Sequence, residues 1–217
     1  WGELPPFAGQ TGTTVYPDQI LADDSGDLHI LWEWAAGGAQ AARHFGSYAR
    51  FDPDTNTYFR ADGNPFTAGP INIAAADVYQ GLEGSERFAA SVHGVQSAKL
   101  ALDDAGRPLI AYGYSTTGTD TGYQHRFARW TGSEWSRDTI VAGPFDIEKP
   151  WLAYSDGILR YYGGVAATDP LYTGSDDIFV RTSTNLGESW SEPVAVTQGL
   201  DIQRPIGIAT GSTDRLY

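Results

Sequence analysis

The feature that most constrains this chain is a layout that occurs three times: an apolar stretch, a short turn built on Asp and Gly, and a second, more strongly apolar stretch. The first copy runs from Val15-Tyr16-Pro17 to Ala22, turns at Asp24-Ser25-Gly26, and continues from Leu28 to Trp34. The second runs from Ser97 to Leu102, turns at Asp104-Ala105-Gly106, and continues from Pro108 to Tyr114. The third runs from Lys149-Pro150-Trp151 to Tyr154, turns at Asp156-Gly157, and continues from Ile158 to Tyr162. After each copy come a Gly/Thr/Ala-rich loop and a third stretch, at Arg43 to Phe51, Tyr123 to Trp130 and Asp177 to Arg181. Runs this short, rich in aromatic and β-branched residues and bounded by turn formers, are strands. The 26 Gly, 12 Pro and 28 aromatic residues, with little helical periodicity, fit an all-β chain and exclude a helical one.

A fourth strand closes each unit. Trp135-Ser136-Arg137 leads to Gly143 and Trp190-Ser191-Glu192 leads to Gly199, while Trp1-Gly2-Glu3 leads to Gly9 at nearly the same spacing. Four-stranded units that repeat at this length are propeller blades, each unable to bury its faces alone. The expected organisation is a partial β-propeller: 1–12 the end of a blade, 13–94 a blade with an inserted excursion from about Phe66 to Gly94, 95–147 and 148–200 two further blades, and 201–217 the start of another. A ring of blades must close to remove its open edges. The remaining blades are therefore expected from further sequence or another chain, in keeping with a chain that contains no Met and begins at Trp1.

The 27 acidic residues outweigh 14 basic ones, for a formal charge of −13, which argues against general nucleic-acid binding, since that rests on neutralising phosphates. Twelve of the 14 basic residues are Arg, the better partner for carboxylate and sulfate, so an anionic ligand held by a local cluster stays open. With no Cys there is no disulfide, thiol catalysis or iron–sulfur cluster. No apolar run is long enough for a membrane helix, and none follows a basic opening as in a signal peptide.

The segment Ser183-Thr184-Asn185-Leu186-Gly187-Glu188-Ser189-Trp190 resembles the Asp box of bacterial neuraminidase repeats, with Asn in the Asp place. Its physical content is a hairpin in which the Asx side chain bonds turn amides, Gly takes a positive φ, and Trp packs between blades. The other blades, with Asp27-Leu28-His29-Ile30 before Trp32 and Pro108-Leu109-Ile110-Ala111-Tyr112 before His125-Arg126-Phe127-Ala128-Arg129-Trp130, look like the repeat-containing propellers that include ulvan lyases. That resemblance implies a seven-bladed ring, β-elimination on a uronic-acid polysaccharide that is sulfated in the ulvan case, catalysis by His, Tyr and Arg, and no required cofactor. A structural calcium or zinc ion is left open. Tyr16-Pro17 fits the family's Tyr-Pro, whereas Trp32, Glu33 and Trp34 stand where its Arg would follow. True sialidases need an Arg triad and a Tyr–Glu pair, for which Arg204-Pro205 is the nearest feature.

In a propeller, the starts of the inner strands and the ends of the second-to-third-strand loops surround the axis on one face. That rule selects Tyr16, Asp18, Trp34, Arg43 and His44 in the first unit, and Gln96, Lys99, Tyr112, Tyr114, Tyr123, His125 and Arg126 in the second. Glu148, Lys149, Tyr161 and Tyr162 follow in the third and Arg204 in the fourth. Elimination across a uronate needs a cation on the carboxylate, a base for the C5 proton and an acid for the leaving oxygen. Tyr16, Arg43, His44, Tyr112, His125 and Arg126 are the expected catalytic candidates, and Trp34, Lys99, Tyr114, Lys149 and Arg204 the expected substrate contacts. Alternation along a strand forbids Arg43 and His44, or His125 and Arg126, from facing the same way. His29 reads as packed or exposed, and the doublets Asp23-Asp24, Asp103-Asp104 and Asp176-Asp177 read as turn formers rather than metal or hydrolytic carboxylates. Trp32, Trp34, Trp130 and Trp151 read first as inter-blade packing. A hydrolase or a sugar-binding propeller on the same fold are the alternatives to a lyase. An acidic, Lys-poor surface and a polymeric substrate suit a secreted or periplasmic bacterial protein.

Overall fold

The computed structural model describes residues 7–36, 43–67, 69–81, 94–115, 123–145, 150–164, 177–198, 208–209 and 215–216. Every regular element among them is a β-strand. The first sheet has the order β1 (Thr13–Ala22), β2 (Leu28–Ala36), β3 (Arg43–Asp52), β4 (Thr57–Phe59), with β5 (Asp77–Gln80) also paired to β3. The second runs β6 (Gly94–Leu102), β7 (Pro108–Ser115), β8 (Tyr123–Trp130), β9 (Trp135–Phe145). The third runs β10 (Trp151–Ser155), β11 (Ile158–Gly163), β12 (Phe179–Ser183), β13 (Val194–Ala195), and a hairpin of β14 (Ile208–Ala209) and β15 (Arg215–Leu216) follows. All these pairs are antiparallel.

In the first two sheets the turn is closed by the first Asp of each doublet, one residue before the Asp at which the repeat began the turn. The Asp23 carboxylate accepts the amides of Ser25 and Asp27, and the Asp103 carboxylate accepts those of Ala105 and Arg107. In the third sheet Asp156 and Gly157 both take positive φ, 53° and 73°, as a two-residue hairpin turn with the twist of its strands requires. Asp177 does something else: it lies beside β12, buried, and accepts the Thr197 hydroxyl. In the segment resembling an Asp box, the Ser183 hydroxyl accepts the amides of Asn185 and Gly187, and the Asn185 side chain accepts the amide of Ser189.

Because β7 is buried along its whole length, its two faces serve two interfaces. Ile110, Tyr112 and Tyr114 pack with Leu31, Tyr48 and Tyr79 of the first sheet. Leu109 and Ala111 pack with Leu152, Leu159 and Tyr161 of the third. Trp190 lies in that second interface, its ring edge-on to Phe127 at 5.5 Å and to Tyr161 at 6.2 Å. Each aromatic pair of this kind adds about 0.5–1.5 kcal/mol beyond the area it buries.

Two features depart from a plain four-stranded meander. The outer strand of the first sheet is split: β4 pairs with Arg50–Asp52 of β3, and β5 pairs with Gly46–Tyr48. Between them the chain folds back so that Ile71 and Ile73 bury with Trp32, Trp34 and Phe45 on the face turned away from the second sheet. Residues 7–9 run along Ile71, with backbone hydrogen bonds from Gly9 N–H to Ile71 C=O and from Ile71 N–H to Phe7 C=O. In addition, the first strands of the first and second sheets are bulged: β1 between Pro17 and Gln19, and β6 between Gln96 and Lys99. Pro17 has no N–H to continue the ladder, and Ser97 takes φ 57°.

Candidate functional site: a polar seam between the first and second sheets

Residues paired across strands share a face, so the register draws a row through the first sheet: Tyr16 opposite Glu33, Glu33 opposite Gly46, and Gly46 opposite Gln80. The second sheet presents the row Tyr112, Arg126, Thr139. Polar contacts stitch the two together. Glu33, fully buried, accepts the Ser97 amide at 2.5 Å, and Gln80 Oε1 accepts the Tyr112 hydroxyl at 2.6 Å. Gln19 accepts the Leu100 amide at 2.8 Å, so the β6 bulge at Ser97 and the strand just after it are each tied to a side chain of the first sheet.

Tyr79 fills the gap over Gly46, where the absence of a side chain leaves room for its ring. It is fully buried, edge-on to Tyr112 at 5.4 Å and to Trp135 at 6.1 Å. Burial first, then the charges of Asp18, Glu33 and Tyr112, push its phenol well above its ordinary range, so it stays an O–H donor. Among the described residues that hydroxyl has no hydrogen-bond partner.

At the outer end of the seam lies a groove of about 640 Å³. Val78, Gln80 and Gly81 form one wall; Arg126, Arg137 and Thr139 form the other, with Asp138 at its rim. At the inner end Tyr16 is half-buried. The start of β3 reaches the same end of the sheet: Arg43 pairs with Ala35, which pairs with Thr14, and His44 falls at the bulge that follows. Their side chains lie outside the described residues.

The structure thus sorts the candidates. Tyr16, Tyr112 and Arg126 occupy the facing rows of one seam, with Tyr112 fully buried within it. Tyr114 is buried beneath Arg126, whose guanidinium carbon sits 4.1 Å from the ring centroid. His125 projects to the opposite face, fully buried, with Nδ1 hydrogen-bonded to the Tyr161 hydroxyl in the interface with the third sheet. Trp34 faces away from the seam, buried, donating Nε1–H to the Ser47 hydroxyl at 2.9 Å. Lys99 lies on the inner strand with Nζ 5.7 Å from the ring centroid of Trp151. Trp151 is half-buried and packs against the cluster of Tyr162 and Ile178. Lys149 and Arg204 lie outside the described residues. Sequence reasoning passed over Glu33, Tyr79 and Arg137. A carboxylate between Trp32 and Trp34 in an otherwise apolar strand was the available signal for the first.

His29 is almost wholly buried, its Nδ1 against the Tyr48 hydroxyl at 2.7 Å and its Nε2 against Asp23 at 3.1 Å. Burial holds its pKa below the usual value despite the neighbouring Asp23. Asp23 itself is raised by burial but lowered further by its hydrogen bonds from Ser25, His29 and the turn amides, to about 2. Among the described residues no group of three or more His, Asp or Glu could hold a metal ion, and no helix is long and apolar enough to cross a membrane.

A family model described as a BNR repeat-containing family member matches residues 1–142. The chain belongs to that family. Two solved lyases share its fold: an ulvan lyase of polysaccharide lyase family 25 bound to -[GlcA(1-4)Rha3S]-, with TM-score 0.63, 16% identity and 85% of this chain covered, and the polysaccharide lyase Uly1, with TM-score 0.60, 13% identity and 92% covered. The Penicillium chrysogenum α-L-arabinanase complexed with arabinobiose aligns with TM-score 0.50 and 16% identity over 92% of this chain and 53% of its own. The chain spans 43% of the first lyase and 40% of the second. No curated protein matches it by sequence. At these identities the likeness is one of fold, and that fold carries both lyases and hydrolases of carbohydrate polymers.

Proposed function

We propose that the protein is a polysaccharide lyase that cleaves a uronic-acid-containing, ulvan-like polysaccharide by β-elimination. The observation that supports this reading is one of backbone register: Arg43 pairs with Ala35 and Ala35 with Thr14, two residues from Tyr16 on the same strand, and His44 follows Arg43. Such a set supplies what the reaction asks for. A guanidinium pairs with the uronate carboxylate and stabilises the enolate charge as the C5–H bond breaks. A phenol or imidazole takes that proton, and the other donates one to the departing glycosidic oxygen as the C4–O bond breaks and the C4–C5 double bond forms. The fold shared with two ulvan-lyase-type proteins supports the reading. On this account further blades complete a seven-bladed ring, and the protein acts outside the cytoplasm on its polymer.

The test is kinetic and uses the full-length protein. Replacing Arg43 by Ala should lower turnover on ulvan by about a hundred- to a thousand-fold, the usual effect of losing one preorganised donor to a developing anion, with an unchanged melt. His44→Ala should also reduce turnover. Near-normal rates in both variants would remove these residues from the chemistry. A hydrolase is the second reading, favoured by the likeness in fold to the Penicillium chrysogenum α-L-arabinanase. Reducing ends formed without an unsaturated product would support it.

A further inference from the structure

Toward the β1–β2 turn, the interface between the first and second sheets is closed by a chain of buried hydrogen bonds outside the polar seam. His29 alternates with Leu31 and Glu33 on one face of β2. Its ring bridges Asp23 of the turn, from Nε2 at 3.1 Å, and the Tyr48 hydroxyl, from Nδ1 at 2.7 Å. Tyr48 sets its ring edge-on to Trp135 of the second sheet at 5.8 Å, and the Trp135 indole donates to Asp77 of β5 at 2.8 Å. Donor and acceptor roles follow from what each neighbour can do. Asp23 titrates at about 2 and above that only accepts, so Nε2 carries the hydrogen of the neutral ring. Nδ1 then accepts, from a Tyr48 phenol that burial keeps as O–H.

A proton added to His29 undoes one side of this chain. With both ring nitrogens donating, the bond to Asp23 becomes charge-assisted on both sides, which holds the imidazolium where it is. The Tyr48 bond has to reverse. Its oxygen must accept from Nδ1 while its own hydrogen turns away, and among the described residues the buried hydroxyl has no second partner to take it. The charged groups that face the ring are Asp23, Asp27 before β2, and Arg50, which lies opposite His29 on β3 and pairs with Asp27. Asp77 acts on Tyr48 from β5, and the second sheet meets this corner with Leu102, Ala128 and Trp135, none of them charged. We propose that His29 is an acid-operated release for the packing of the first sheet on the second: proton uptake shifts the tie of the imidazole from Tyr48 to Asp23 and loosens Tyr48 from Trp135. Burial outweighs the pull of Asp23 and keeps the ring neutral until the pH falls below 6.5, so the release is shut at neutrality. It requires no assumption about the reaction.

The experiment is fluorine NMR of the full-length protein carrying fluorinated tryptophan, titrated from about pH 8 to about pH 5, the range in which histidine changes charge. Trp135→Phe assigns the Trp135 signal. In the parent that signal should move reversibly, with one midpoint below 6.5. His29→Gln keeps an acceptor for Tyr48 and a donor for Asp23 without a titrating ring, and should hold the signal still. Tyr48→Phe leaves the imidazole to titrate but removes the hydroxyl whose bond reverses, and should take away most of the movement. A Trp135 signal fixed across the range in the parent would overturn the proposal. So would the full movement in either variant: in His29→Gln the titrating group would be Asp77, at the indole nitrogen, and in Tyr48→Phe the tie through Tyr48 would carry nothing. Each variant decides by itself once a cooperative melt near neutrality shows it to be folded.

Discussion

Gly46→Ala probes the closure of the seam directly. A methyl group at position 46 would meet Tyr79 Cε1 at 2.7 Å and its Cζ and hydroxyl oxygen closer still, all nearer than packed carbon atoms tolerate. The ring has nowhere to go, because Tyr112 and Trp135 flank it and the residue is fully buried. Forcing one methyl into a filled site costs about 1–3 kcal/mol, and the upper part of that range is expected here. The strain also has a genetic signature. Tyr79→Ala alone should cost about 3–5 kcal/mol as a large aromatic is lost from the core. The double variant should cost clearly less than the sum, since removing the ring makes room for the methyl. Urea unfolding of the full-length protein reads these values from the midpoint, with the slope checked for constancy. A Gly46→Ala protein as stable as the parent, or strict additivity in the double variant, would refute the contact between β3 and Tyr79 on which the seam is built.

Tyr79→Phe should be neutral or stabilising in the same assay, because its hydroxyl is buried with no partner among the described residues; a loss above about 1 kcal/mol would reveal a hydrogen bond there. Glu33→Ala should destabilise by about 1–3 kcal/mol through the buried Ser97 amide left unpaired, and Glu33→Gln, which keeps an acceptor, should recover much of it. The His29 pKa is depressed on folding, so its contribution is whole above pH 6.5, the unfolded value, and is lost as pH falls below it. Asp23, lowered from 3.8 to about 2, adds a second loss between those values. The urea midpoint should therefore fall on acidification from neutrality, and His29→Gln should flatten the first part of that decline.

The blade pattern was legible because it is local. An Asp carboxylate that caps its own turn, as Asp23 and Asp103 do, is a short-range interaction that any sequence window contains. Alternation likewise placed His125 and Arg126 on opposite faces of β8. What escaped was which face meets what. His125 and Tyr112 stand where a propeller places functional groups, yet each is wholly buried with a partner from a neighbouring sheet or from the seam. Whether a position near a loop opens to solvent depends on the packing of the adjacent blade, a long-range property. The split outer strand was hidden for a related reason. Ile71 and Ile73 read as part of an excursion, and the apolar face of Trp32 and Trp34, which they bury, explains why that excursion folds back. Arg137 was overlooked because Trp135-Ser136-Arg137 served only to fix the repeat, although alternation along β9 already set its side chain apart from that of Ser136.

The proposed reaction is β-elimination. The most direct measurement follows the ultraviolet absorbance of the unsaturated uronate product and the count of reducing ends together, on the full-length protein with ulvan and other uronate polysaccharides. With a lyase, both rise in step on at least one of these polymers. Reducing ends without the absorbance would show hydrolysis, and the absence of both on every polymer would contradict cleavage.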